Sequence, residues 1–148
     1  MLREYHESQL ECERAVALVN IRKVQAYKGL KQPTQSEVNV GLCLMLIMSS
    51  VDGSIRLNHD KTQLLDKSWN TSIAKYYTNS GKVVQNVRKL RDVIDYERLG
   101  LGLASSVMNM DIAYSELKGE GSIALFECLN ALRQRIDLNK KSKILLTQ

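Results

Sequence analysis

The chain has 148 residues, 44% of them hydrophobic, one proline, eight glycines and a formal net charge of +5. That length suits one domain, the apolar content is too high for a disordered chain, and the scarcity of breakers argues against a turn-rich sandwich or barrel. Residues 1–30 carry five basic and four acidic side chains, residues 31–120 eleven and ten, and residues 121–148 five and two, so no strongly basic domain stands out.

Residues 2–31 read as one long helix. Leu2, Tyr5, Gln9, Cys12, Val16, Val19, Lys23, Ala26 and Leu30 follow an a/d heptad with two polar exceptions, and Leu10, Ala17, Ile21 and Val24 form a second stripe beside it. Pro33 lacks a backbone donor and restricts Gln32, so it ends or kinks this helix. Ser36 or Thr34 then caps a helix through Val38 to Met48, apolar nearly all round and therefore central.

Ser49 to Asp60 reads as a loop, with Asp52-Gly53 as its turn. Helix is predicted over 61–78, with Leu64, Leu65, Trp69, Ile73, Ala74 and Tyr77 inward, then a break at Asn79-Ser80-Gly81. Helix is predicted again over 82–98, burying Val83, Val84, Val87, Leu90, Val93 and Ile94. Gly100 and Gly102 mark a turn; short helices follow over Leu103–Met108 and Ile112–Leu117. Lys118 to Gly121 is a turn with Ser122 as cap, and the last helix runs from Ile123 to about Leu146. Leu125, Leu129, Leu132 and Ile136 keep heptad spacing within it.

The implied fold class is all-α: a compact helical bundle at the tip of an antiparallel two-helix coiled-coil stalk. Residues 1–32 are the first arm, 33–121 the tip and 122–148 the returning arm, each arm roughly 40 Å long at 1.5 Å rise per residue. The first arm has two stripes and the second mainly one, which suits a pair able to shift register. Heptads that run into both ends suggest a piece of a longer chain.

No enzyme chemistry is legible. His6 and His59 stand apart from each other and from Cys12, Cys43 and Cys128, so neither a CxxC nor an HExxH metal spacing exists. Three widely spaced cysteines do not make a disulfide framework and read as small buried apolar residues. Gly100-Leu101-Gly102 lacks the third glycine and the preceding strand of a dinucleotide turn, and there is no phosphate loop or nucleophile elbow. Asp92 and Asp95 read as a solvated face offsetting Arg91 and Arg98. No catalytic residue, metal or cofactor is expected. The charged opening Leu2-Arg3-Glu4 and the shortness of the apolar run Val40–Met48 point to a soluble intracellular protein that does not enter membranes.

One ordered set of features resembles the stalk tip and microtubule-binding domain of a dynein heavy chain. It comprises Ala17-Leu18-Val19-Asn20-Ile21, Tyr27-Lys28-Gly29-Leu30-Lys31-Gln32-Pro33, the apolar helix Val38–Met48, Ser68-Trp69 with Ala74-Lys75, Val83-Val84-Gln85-Asn86-Val87-Arg88-Lys89-Leu90, and Ser122-Ile123-Ala124-Leu125. The chain differs at Gln32, where the family usually has a second proline, and at Asn39, where it often has a basic residue. The resemblance implies tubulin, and the rest of a dynein-like heavy chain, as partners in the cytoplasm, on the cytoskeleton or in a ciliary axoneme. It makes Pro33 the junction of arm and tip and puts the ATPase outside this chain. Val16, Val19 and Leu30 would pair with Leu125, Leu129, Leu132 and Ile136 in the arms.

Charge adds the candidate tubulin contacts. Lys82, Arg88, Lys89 and Arg91 form a basic run with no acid between positions 82 and 91, and Lys118 comes next. Two other readings fit the same residues. One is a helical adaptor or oligomerisation module, viral or regulatory. The other is a weak nucleic-acid binder using 82–91 with Arg133, Arg135, Lys140, Lys141 and Lys143.

Overall fold

The computed structural model describes the backbone of residues 2–93 and 101–147, with side chains for all of these except 2, 5, 91–93, 101 and 142–147. The predicted inward positions Val93 and Ile94, the carboxylates Asp92 and Asp95, the end at 98 of the helix predicted over 82–98, and Gly100 lie outside the described side chains or residues. Within them the fold is helical throughout, with a single isolated bridge, Leu57 to Leu64, in place of any sheet.

The first predicted helix is two. α1 spans Leu2–Leu18 and α2 spans Ile21–Lys28. Asn20 causes the break: its backbone is extended and its side-chain oxygen accepts from the Lys23 backbone N–H at 3.0 Å, capping a new helix. Asparagine favours such a cap over a helix interior, and the apolar periodicity running through it carries no sign of the change. Pro33 follows in the half-buried connection to α3, Gln35–Met48.

Thr34, rather than Ser36, caps α3. Its hydroxyl accepts from the Glu37 N–H, and the Glu37 carboxylate accepts from the Thr34 N–H, the reciprocal capping box. Every residue from Val40 to Met48 is buried, so α3 is the central helix its sequence predicts.

The predicted helix over 61–78 starts late. Residues up to 68 remain irregular because short polar side chains take the backbone donors a helix would use. Asn58 accepts from the N–H groups of Thr62 and Gln63, and Asp66 accepts from that of Ser68. A five-residue π turn, Trp69–Ile73, leads into α4, Ala74–Tyr77. Leu64 is buried there, but Leu65 is 63% exposed, against expectation.

α5 spans Ser80–Val93 and buries Val83, Val84, Val87 and Leu90 as predicted. α6 spans Leu101–Asn109, so Gly102 lies inside a helix and not in a turn. The predicted helix over Ile112–Leu117 shrinks to a 3-10 turn, Tyr114–Glu116. α7 spans Glu120–Thr147 and starts before Ser122, whose hydroxyl donates to Glu37 at 2.5 Å instead of capping its own helix.

α1 and α2 pack along α7 in the opposite chain direction. Glu7 and Ser8 of α1 face Gln134 and Asp137, Ala15 and Leu18 face Glu127 and Ala131, and Lys23 of α2 pairs with Glu120. The shared core takes Cys12, Ala15 and Val16 from α1, Val19 from the break after it, Val24 and Tyr27 from α2, most of α3, and Leu125, Cys128, Leu129, Leu132 and Ile136 from α7. Burial of each large member stabilises the fold by about 1.5–3 kcal/mol. All three cysteines are buried, as the sequence suggests.

The asymmetry of stripes is the reverse of that expected. α7 buries two adjoining rows, Ala124, Cys128, Ala131 and Arg135 beside Leu125, Leu129, Leu132 and Ile136. α1 buries one narrow row; Leu10 and Leu18 of α1 and Ile21 at the start of α2 are about half exposed at 48%, 46% and 51%, while Val24 of the predicted second stripe is buried. The α7 helix sits against α3 as well as α1, so both its rows have partners.

Candidate partner-binding face

α5 carries the candidate basic face. Its apolar residues anchor one side in the core, and the opposite side presents Gln85, Arg88 and Lys89 to solvent. Neither Arg88 nor Lys89 has a carboxylate partner among the described residues. The side chain of Arg91 lies outside the described residues.

Lys82 does not join them as an open charge. Its ammonium lies 3.3 Å from Asp52, donates to the Ser54 hydroxyl at 3.0 Å and stands 6.0 Å from the Tyr76 ring centroid. Asp52 is buried and heavily bonded: it accepts from the Ser54 N–H and hydroxyl, from the Tyr76 hydroxyl at 2.7 Å and from the Asn86 amide at 3.1 Å. Burial pushes its carboxyl up, but these donors outweigh burial and hold it well below the ordinary carboxylate range. Tyr76 responds oppositely: burial and the neighbouring Asp52 charge raise its hydroxyl far above the ordinary value. The basic run seen in the sequence is thus divided into one structural cation and two open ones.

Lys118 is exposed on the connection into α7, where its backbone N–H donates to Glu37 at 3.2 Å. Glu37 is the second buried carboxylate hub. Besides its capping box, it accepts from the Gly119 N–H and the Ser122 hydroxyl. Burial again raises the carboxyl, and the Ser122, Thr34, Gly119 and Lys118 bonds outweigh it, leaving it below its usual range. The junction after Pro33 is therefore clamped to the start of α7.

The heptad residues meet as one buried seam. Val16 is buried on α1 and Val19 in the break just after it, Leu30 is half-buried beside Gly119, and Leu125, Leu129, Leu132 and Ile136 are all 0–1% exposed on α7. The alternative basic group on α7 does not form a face. Arg133 turns inward, donating to the Met110 carbonyl at 2.9 Å, Arg135 is buried, and Lys141 pairs with Asp137 at 3.0 Å. Lys140 is exposed, and the side chain of Lys143 lies outside the described residues.

Two members of the α5 face were missed by reading the sequence. Packing of α2 on α5 sets Ile21 and Arg22 across a groove of about 500 Å³ from Gly81, Val84, Gln85 and Arg88. Arg22 is 85% exposed and only 4.0 Å from Glu120, a surface pair worth little. Some sixty residues separate Arg22 from Arg88, so only the helix packing joins them. Ile21, set by its spacing in the second apolar stripe beside the heptad row, was the available signal.

Among the described residues, no group of His, Cys, Asp and Glu gathers as a metal site, and no helix is long and apolar enough to cross a membrane. No known family model, curated protein or solved structure matches the chain.

Proposed function

We propose that this chain is the microtubule-binding stalk-tip domain of a dynein-like motor, working in the cytoplasm on the cytoskeleton, and that Arg88 and Lys89 of α5 are its main tubulin contacts. The observation that supports this reading is the open basic face of α5: Arg88 lies across a groove from exposed Ile21 and Arg22, and Lys89 is exposed next to it in the chain, on a helix that leans on the packed end helices. Microtubules are acidic, and exposed guanidinium and ammonium groups favour fast, salt-sensitive encounter with such a surface. Lys118 is a further exposed contact, and Arg91 belongs to the same helix. Lys82 serves this face indirectly, through Asp52. The antiparallel end helices carry the signal between tip and motor by shifting register, and the exposed Leu10, Leu18 and Ile21 are the apolar residues that shifted α1 and α2 helices would bury. Hydrolysis of ATP belongs to the motor outside this chain.

Co-sedimentation with microtubules at low and moderate salt tests the reading. Binding at low salt that weakens as salt rises is expected. Arg88→Glu/Lys89→Glu should weaken it by about tenfold or more, since two attractive charges become repulsive. Folded protein that stays in the supernatant at both salts would overturn the proposal.

The exposed stripe of Leu10, Leu18 and Ile21 supports a second reading, an adaptor whose long helices pair between chains. Light scattering decides it: a dimer that Leu10→Glu/Ile21→Glu converts to monomer favours the adaptor.

A further inference from the structure

The irregular segment between α3 and α4 forms one wall of a cleft of about 440 Å³, and the π turn, α4 and the start of α5 form the other. Met45, Ile55, Leu64 and Tyr76 give it an apolar floor, while Arg56 and Lys75 stand exposed on its two walls. The wide π turn brings Thr71 and Ser72 to the cleft; such turns recur at functional sites. Leu65, 63% exposed, extends the apolar surface to the rim.

The charges in the cleft do not cancel. Asp66 is its one carboxylate, and it is taken up locally by the Ser68 N–H at 2.9 Å and the Thr71 hydroxyl at 2.7 Å. Lys82 also borders the cleft but is tied to Asp52. Neither Arg56 nor Lys75 forms an ion pair among the described residues, and with Lys82 they leave the lining with more cations than its one carboxylate. An occupant must therefore supply carboxylates toward both walls and an apolar group toward the floor. The open shape suits an extended segment better than an enclosed small molecule.

We infer that this cleft, distinct from the Arg88 face, docks an acidic peptide segment of another protein, with an apolar side chain on the Met45–Tyr76 floor and flanking carboxylates on Arg56 and Lys75.

Fluorescence anisotropy with a short fluorescein-labelled peptide alternating glutamate and leucine tests this on the full chain. The peptide should bind, and Arg56→Glu/Lys75→Glu should weaken it by about tenfold or more, as loss of both charge partners requires. Arg88→Glu/Lys89→Glu should leave its affinity unchanged, which separates this site from the microtubule face. A peptide of glutamate alone should bind more weakly. No binding, equal binding of the glutamate-only peptide, or loss caused by the Arg88 variant instead would each overturn the inference. Amide NMR of the wild type gives a check free of any folding defect in the variants: shifts at Ile55, Leu65 and Ser72 support the cleft, and shifts confined elsewhere refute it.

Discussion

Gly41 shows how much of this core depends on one missing methyl. It sits inside α3, where glycine costs helix stability, yet a Cβ there would collide with the Tyr27 hydroxyl. That hydroxyl donates to the Glu37 carbonyl at 2.6 Å, while the Tyr77 hydroxyl donates to the Gly41 carbonyl at 2.8 Å. The two rings meet edge to face at 5.0 Å, and Trp69 meets Tyr27 at 5.2 Å. Helix propensity favours alanine by about 1 kcal/mol, but overpacking costs about 1–3 kcal/mol. The clash prevails because Tyr27 is fully buried and its ring is held on both sides. Urea unfolding should show Gly41→Ala less stable by about 1–2 kcal/mol net. In a Tyr27→Phe background that penalty should shrink but not vanish, because the shortest contact is gone while the ring atoms Cζ and Cε2 still lie 2.8 and 2.9 Å from the new Cβ. An unchanged penalty would mean that the ring, and not its hydroxyl, sets the contact. None of this is visible in the sequence, where Gly41 reads as a small residue in an apolar run.

At the scale of elements, the α2–α7 crossing has a similar device with harder walls. A Cβ on Gly121 would lie 2.5 Å from the Lys23 carbonyl oxygen and 2.6 Å from the Tyr27 nitrogen, both backbone atoms. Backbone cannot swing aside, so α2 must shift along α7. Gly121→Ala should cost about 2–3 kcal/mol, the upper part of the overpacking range. It should also change Trp69 fluorescence, because Tyr27 moves with α2. Stability loss without a spectral change would place the damage elsewhere. The sequence suggested a turn at Gly121, since glycine beside Gly119 and Lys118 resembles a helix boundary; the residue is instead the contact point of two helices. The break at Asn20 is the other lesson at this scale. A polar cap there interrupts an unbroken apolar pattern.

For the molecule as a whole, Glu37 and Asp52 are buried carboxylates that tie distant segments together. Glu37 joins the α2–α3 connection to α7, and Asp52 joins the loop after α3 to α4 and α5. Both carboxyls titrate lower when folded than unfolded. The unfolded chain thus takes up their protons first as pH falls, and each contributes stability that is complete above the ordinary carboxylate range near pH 4 and is lost as pH drops through the folded values. Urea titrations from neutral pH down should show stability falling below about pH 4. Glu37→Gln/Asp52→Asn should be less stable at neutral pH and should flatten that fall. An equally steep fall in the double variant would assign acid sensitivity to other groups.

The sequence by itself determined the helical class, the burial of α3, the inner face of α5 and the heptad row of α7. These follow from spacing along one chain segment, and burial of an apolar face is the largest local driving force. Tertiary structure alone decided that Lys82 is a structural cation while Arg88 and Lys89 are open, that Arg22 and Ile21 join the α5 face, and that Arg133 and Arg135 turn inward. It also decided which of the two end helices keeps an uncovered stripe. The reason is that a charge or an apolar row acquires its role from what packs opposite, and those partners lie tens of residues away in the chain.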